Sequence, residues 1–521
     1  MALVQTFQRA GCSSALISST VFSRRVAHTN STASQTHGAA QEVKPYEDIP
    51  GPKGIYNWPV IGPMFHFKPF TKWEATTSHL LFNDLFDKYG PIFKLYLGQD
   101  FVMVFDPKDI ETVFRNEGRY PVRTKLSVNE VFNRRNNVKP GIVDLEGKEW
   151  QALRAPLNKK LMKVDSAGYY LKPQNVVADE FVQILATQKM SPDALAELFF
   201  RYAVESISVV CFNTRLGFLE PKAMENQESA RLLQASQDVF LYMHKSFTDV
   251  AHRWFRNEVY RGFEKNKLLL GKQTMQHIKD AQLVLETRKQ NGTLDPDEPN
   301  LLLYLLSDSS LDFMDIVGIM ESFYIAGTDS TAKNLQILFF NLAKNPDKQE
   351  TLRKEITSLL GHDGPVTAES LAKLPYLKAC LKESFRLFSP TVSGPPRKMP
   401  TDVVLSGYRV PAGTVVSLHT PRTCQKYFLN PDKFIPERWI RSSEGHHPED
   451  IPPTASLPFG YGPRNCIGRR FAEQEIYLAA VKVLQKLKID IDSDSWNTNF
   501  IYTTFIQPEK PIKFRFSRFD D

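Results

Sequence analysis

The sequence predicts a mainly α fold with small β regions, an α+β unit in which a helical lobe dominates and a small sheet lobe accompanies it. Three observations carry this expectation. From about residue 146 to 362, amphipathic helical runs follow one another, broken only by short polar stretches such as "KQNGTLDPDEPN". Strand-like runs rich in β-branched and aromatic residues cluster near the two ends of the chain instead of alternating with the helices. No internal repeat divides the 521 residues, and a hydrophobic content of 42% is ample for one large core.

Taken in order, the first forty residues carry Arg9, Arg24 and Arg25 among many Ser and Thr, and the first acid is Glu42. Arg- and Ser-rich, acid-free sequence without a long apolar run is the pattern of an organelle transit peptide. Residues 1–43 are therefore expected to be a mitochondrial transit segment with a disordered linker, and 44–521 a single domain. "KPYEDIPGPKG" (44–54) should be a stiff, non-helical lead-in. "PIFKLYLG" (91–98) and "FVMVFD" (101–106) predict a hairpin turning at "GQD". A long helix is expected from Leu311 to about Leu342. Strands return in "DVVLSGYRVPAGTVVSL" (402–418), and a helix from about Arg469 to Leu487 precedes a short β tail.

Composition excludes several classes. Charged residues make up 24% and the net charge is +7, with no basic run of five or more, which argues against a nucleic-acid partner. No stretch of about 18 uncharged apolar residues is present, so no transmembrane helix is expected. The five cysteines are odd in number and form no CxxC pair, so neither a disulfide framework nor a zinc ribbon is indicated. No HExxH is present, and His446–His447 fall in a polar, Pro-containing stretch expected to be a surface loop.

The chemistry concentrates in "FGYGPRNCIG" (459–468). Gly460, Gly462 and Gly468 allow the backbone to approach a sulfur closely and to turn N–H groups toward it. Phe459 can shield the sulfur of Cys466 from water, Arg464 supplies a fixed positive charge, and the N-terminus of the following helix favours a thiolate. The combined spacing F-x-x-G-x-R-x-C-x-G is far more specific than any of its parts. It resembles the haem-binding signature of the cytochromes P450, with no required position missing. The resemblance implies haem b (iron protoporphyrin IX) with Cys466 as axial thiolate, and O₂ as co-substrate.

Further motifs fit that resemblance. In "KESFR", Glu383 and Arg386 are spaced i, i+3 on a helix, and Arg438 lies in "FIPERW". An isolated E-x-x-R would be a solvated pair, but the family joins such a Glu to two arginines in a buried triad, which buried charge requires. "ESFYIAGTDSTAKN" resembles the family's A/G-G-x-D/E-T motif, in which acid and alcohol manage proton delivery. It makes Asp329, Ser330 and Thr331 the candidate catalytic residues, with Ser330 standing where the family usually has Thr. The hydroxyl there can bond the i−4 carbonyl and distort the helix, and the neighbouring Ala326 and Gly327 open room. Trp150 and Arg154, at i, i+4 in "WQALR", resemble the WxxxR motif that grips a haem propionate; Arg397 and Arg464 resemble two further contacts to it. Each of these could alone be a surface residue.

The transit-like N-terminus and the double-Arg pattern "IGRRFAEQE" resemble mitochondrial members. Lys378 and Lys382, with Arg469 and Arg470, then become docking cations for an acidic, adrenodoxin-type ferredoxin, whose electrons come from NADPH through its reductase. The expected activity is hydroxylation of a lipophilic small molecule, steroid- or sterol-like or a xenobiotic, on the matrix side of the inner mitochondrial membrane, with peripheral membrane association. An electron-independent thiolate-haem isomerase or dehydratase and a non-catalytic haem- or ligand-binding protein remain open. By resemblance, 124–142, 199–252, 323–326, 391–396 and 502–505 line the substrate pocket.

Overall fold

The structure, a computed structural model, describes residues 42–519 apart from 164, 294–299 and 442–448. Residues 1–41 of the expected transit segment and the His446–His447 loop lie outside the described residues. From Val43 onward the chain is one compact unit.

The helical lobe is built around Phe313–Lys344, the central helix. Its length follows from an almost unbroken apolar sequence that is buried on nearly all sides from Leu335 to Ala343. Asp312 caps it by accepting from the Asp315 amide, and the Asp315 side chain accepts from the Asp312 amide in return. Against it pack the helix Pro192–Phe212 and the C-terminal helix Arg469–Lys486, with Glu258–Gln290 crossing beyond. Gly327 is what lets Pro192–Phe212 come close: a Cβ at that position would stand 2.8 Å from Ile207 Cγ1. The room expected at Gly327 is therefore taken up by helix packing.

Among the described residues, ten strands form four small sheets: β1 Ile92–Tyr96, β2 Asp100–Val104, β3 Gly394–Lys398, β4 Val403–Leu405, β5 Tyr408–Val410, β6 Val415–Leu418, β7 Leu487–Ile491, β8 Phe500–Thr503, β9 Phe505–Pro508 and β10 Phe514–Arg518. The largest has the order β1-β2-β6-β3. Its β1–β2 hairpin pairs Ile92 with Val104 and Tyr96 with Asp100, and the turn lies where "GQD" puts it. β6 runs parallel to β2, joining strands about 300 residues apart in sequence; sheet connections can span such distances when helices intervene. One local expectation changes, and one strand goes unmarked in the sequence. The lead-in is not free of helix: Tyr46–Asp48 makes one 3₁₀ turn, with Glu47 and Asp48 at its positive end, and Lys44 pairs with Tyr408. "SGPPRK" contains a strand, β3, despite Pro395 and Pro396. It lies at the sheet edge with a register shift between Gly394 and Arg397, where the missing amides cost no ladder bond.

Candidate haem-thiolate site

The cysteine loop is a turn closed by its own backbone. The Cys466 amide donates to the Phe459 carbonyl at 2.8 Å and the Asn465 amide to Gly462 at 3.2 Å. Gly460 and Gly462 take φ of +69° and +76°, which only glycine adopts without strain. Gly462 also lies against Glu117, so a side chain there would overlap the carboxylate. Gly468 caps the C-terminal helix and its amide donates to the Cys466 sulfur. Cys466 as a residue is exposed, although protein surrounds its thiol closely enough to push it up by desolvation. The Gly468 amide and the charges of Arg154, Arg123 and Arg469 pull the thiol back toward the thiolate. Phe459 packs edge-on against Phe385 at 5.3 Å, with the Arg469 guanidinium 5.4 Å above its ring.

Three of the arginines expected to hold propionates are buried. Arg154 donates to the Asn465 carbonyl at 3.0 Å and to its side-chain oxygen at 3.1 Å, tying the helix Gly147–Leu161 to the cysteine loop. Arg464 donates to the Pro121 and Leu145 carbonyls at 3.1 and 2.9 Å and stacks 4.8 Å over Trp150, which is itself buried. Arg397, on β3, pairs with Glu117. A fourth arginine, Arg123, joins them by donating to the Arg464 carbonyl. Burial lowers Arg154 and Arg464 to about 10, and burial with repulsion from the other three arginines holds Arg123 well below the ordinary range. Glu117 is a carboxylate set among them, pushed up by burial; among the described residues its Oε1 and Arg123 Nε have no partner. Four guanidinium groups gathered near the carboxylates of Glu117 and Glu146 leave an excess of largely buried positive charge, which is costly unless a multiply anionic group joins it. The two carboxylates of a haem fit that requirement, and Cys466 fits its axial ligand. Sequence reasoning misses Arg123 and Glu117 because "RNEGRYPVR" shows no spacing that marks them; only burial does.

The E-x-x-R triad is complete. Glu383 is fully buried and receives Arg386 Nε and Nη2 at 2.9 and 2.8 Å and Arg438 Nε at 3.1 Å. The Trp439 indole and the Ile435 amide complete its shell at 2.8 and 2.9 Å. Arg386 also donates to the Pro431 and Lys433 carbonyls at 2.6 and 2.8 Å, fixing the irregular segment that leads into the cysteine loop.

On the central helix the three candidate catalytic residues part company. Ala326 is exposed in a stretch of the helix that is otherwise buried or half-buried, and Ser330 one turn on is half-buried, its hydroxyl donating to the Ala326 carbonyl at 2.7 Å. Asp329 is fully buried and bonded to Lys333 at 2.8 Å. Thr331 is placed differently from the expectation. It lies about 140° around the helix from Ala326 and bonds Glu475 in the core, so it belongs to helix packing and not to the Ala326 face.

Of the docking cations, Lys382 and Arg469 are exposed and near one another, whereas Lys378 is held by the Ala372 carbonyl at 2.7 Å and Arg470 by Met162 at 3.2 Å. The pocket segments do converge. Ser127 bonds His252 at 2.8 Å, and Gly141 lies against Ser322 of the central helix. The Phe505 ring meets Phe240 at 5.1 Å, and Thr391 pairs with Phe505. Phe199 is the exception: it is buried in the core against Phe181, Phe339 and Phe514.

Comparison with known proteins gives the same family. The Cytochrome P450 family model matches residues 52–516. A probable mitochondrial cytochrome P450 12e1 of Drosophila melanogaster is 34% identical over 502 residues, covering 91% of this chain and 93% of the relative. A mitochondrial 1,25-dihydroxyvitamin D(3) 24-hydroxylase of Rattus norvegicus is 30% identical, covering 91% and 90%. Cytochrome P450 10 of Lymnaea stagnalis is 27% identical, covering 91% and 86%.

Proposed function

The chain belongs to the cytochrome P450 family, a haem monooxygenase using O₂, and from that premise we propose a mitochondrial hydroxylase of a lipophilic substrate fed by ferredoxin. The observation that carries this reading is the exposed Cys466 in its glycine loop beside a cluster of arginines that act on its thiol. Cys466 would hold the iron; Arg123, Arg154, Arg397 and Arg464 would hold the propionates. When bound, the haem supplies O₂ activation, so that one oxygen atom enters a C–H bond and the other leaves as water, consuming two electrons and two protons.

The chain's own residues do the rest. The Gly468 amide and Phe459 keep the sulfur's electron density in hand and water away from it. Asp329 and Ser330 handle protons near Ala326, the carboxylate as the group that takes and releases them and the hydroxyl as the donor that orders them. Lys382 and Arg469 form the exposed basic surface on the cysteine-loop side, suited to an acidic, adrenodoxin-type ferredoxin charged by NADPH through its reductase. Residues 1–43 direct the chain to the matrix. The exposed Trp58, Phe70, Phe247, Trp254 and Phe255 suit contact with the inner membrane. The 24-hydroxylase relatives favour a steroid- or sterol-like substrate over a xenobiotic.

The reduced protein with CO should show the red-shifted Soret band of a thiolate ligand, absent in Cys466→Ala. A band that survives the substitution refutes the ligand. Turnover should require NADPH, reductase and ferredoxin; product formation without them would refute the monooxygenase reading in favour of an isomerase or dehydratase. Spectral shifts on titration with sterols, ecdysteroids and pesticides identify the substrate class.

A further inference from the structure

The central helix buries a lysine that its apolar surroundings do not call for. Lys333 is 3% exposed and its Nζ donates to Asp329 Oδ2 at 2.8 Å, one helical turn back. A buried pair of this kind is held in one geometry, because removing either partner strands the other charge. The same Nζ reaches Thr503 Oγ1 at 3.4 Å, and Thr503 donates to Gln507 at 3.0 Å. Thr503 ends β8. Thr504 follows with φ +84°, donating to the Phe240 carbonyl at 3.2 Å, and Phe505 then packs on Phe240. The turn between β8 and β9 is thus where substrate-side segments meet, and Lys333 is where the acid touches that turn. Asp329 Oδ1, meanwhile, is buried without a partner among the described residues.

We propose that Lys333 is a positioning residue for Asp329: it holds the carboxylate by Oδ2, leaves Oδ1 to take and pass on protons, and transmits the position of the β8–β9 turn to it. This rests on the reading of Asp329 as the proton-handling acid. In this role no proton or electron is consumed within the pair. Burial pushes the Asp329 carboxyl up and Lys333 pulls it back; among the described residues Lys333 is the charge that acts on it. The other ionisable groups packed against this part of the helix are turned elsewhere. Glu475 of the C-terminal helix bonds Thr331, and the Tyr202 hydroxyl bonds the Glu475 carbonyl. Glu205 and Cys211 act on Tyr324, and the His277 ring lies 6.1 Å from that tyrosine. Tyr502 of β8 bonds the Ser389 carbonyl.

The test uses the haem-loaded chain with Lys333→Met, Lys333→Arg, Thr503→Val, Asp329→Asn and the double variant Asp329→Asn/Lys333→Met. Two quantities are read: unfolding free energy against pH, and product formed per NADPH consumed. With Lys333→Met, Asp329 is buried alone, so stability should fall with rising pH above about pH 4 more steeply than in the parent or the double variant, both of which keep the slope that Glu475 contributes. Product per NADPH should fall about fivefold, the worth of one hydrogen bond, and Lys333→Arg should recover most of it. Thr503→Val should lower product per NADPH with the parent's stability slope. If Lys333→Met matches the parent in both quantities while Asp329→Asn loses coupling, the positioning role is overturned and the acid reading stands. If Asp329→Asn couples like the parent, the acid reading falls, and a stability slope steeper in Lys333→Met than in the parent then marks the pair as structural only. If Lys333→Met fails to fold, Lys333→Arg and Thr503→Val decide: loss of coupling in Thr503→Val with recovery in Lys333→Arg supports the proposal, and parent-like coupling in Thr503→Val overturns transmission through the turn.

Discussion

Glu475 illustrates at the residue scale what a buried site does to ordinary chemistry. It is 1% exposed, receives the Gln174 amide at 3.0 Å, and shares hydrogen bonds with Ser206 and Thr331. Desolvation raises its pKa to about 8, against an ordinary 4.5. Between those values the folded protein keeps a proton that the unfolded chain has released. Stability from this group is therefore full below about pH 4.5 and is lost as pH rises toward 8, at up to about 1.4 kcal/mol per pH unit. Glu475→Gln should flatten the unfolding free energy measured by urea over that window. Equal slopes in the two proteins would mean that Glu475 does not hold the proton. The helix after the cysteine loop could be read from sequence, but not that its second acid would face the central helix. Likewise, Asp329 and Lys333 at i, i+4 form a pairable spacing in the sequence, yet a lysine at that spacing is usually solvated. Burial alone singles it out.

At the element scale the cysteine loop owes its shape to glycines at positive φ, and a comparison with a glycine elsewhere separates two kinds of cost. Gly413 has φ +86° with open space where a Cβ would stand, whereas Gly462 has φ +76° and faces Glu117. Gly413→Ala should cost about 1–2 kcal/mol from backbone strain. Gly462→Ala should cost measurably more and should release haem faster, since the carboxylate it displaces holds Arg397. Denaturation midpoints and haem-transfer rates check both, and equal costs at the two sites would show that Glu117 yields freely. Most elements were legible because periodicity and punctuation are local. The β1–β2 hairpin, the central helix and the C-terminal helix fall within a few residues of their expected bounds. β3 was not, since two prolines argue against a strand and only its place at an edge permits one.

At the scale of the whole molecule, the decisive feature is an arginine cluster drawn from four separate segments, at 123, 154, 397 and 464. The sheet that pairs β2 with β6, and β6 with β3, carries Arg397 to the segment after Pro107–Arg115, where Glu117 lies. The same folding sorts the surface. Lys382 and Arg469 remain exposed while Lys378 and Arg470 are bonded back to the chain. Lys382→Glu should cut ferredoxin-driven turnover severalfold at low salt and less at high salt, and should spare peroxide-driven turnover. Lys378→Glu with Arg470→Glu should have the smaller effect. Equal loss in the ferredoxin and peroxide assays would count against docking at this surface.

Spacing along the chain was enough to mark the family resemblance: a cysteine in a glycine-rich loop, a paired acid and arginine, an acid beside a hydroxyl, and the order of helices and strands. Those signals are local, resting on neighbours in sequence and on the backbone conformations particular residues allow. Packing in three dimensions was needed to settle which charges are stranded together and which hydroxyl faces the core. It also settled which lysine is buried with the acid and which cations stay on the surface. Such outcomes depend on desolvation, and desolvation depends on every segment that packs against a group, however distant in sequence.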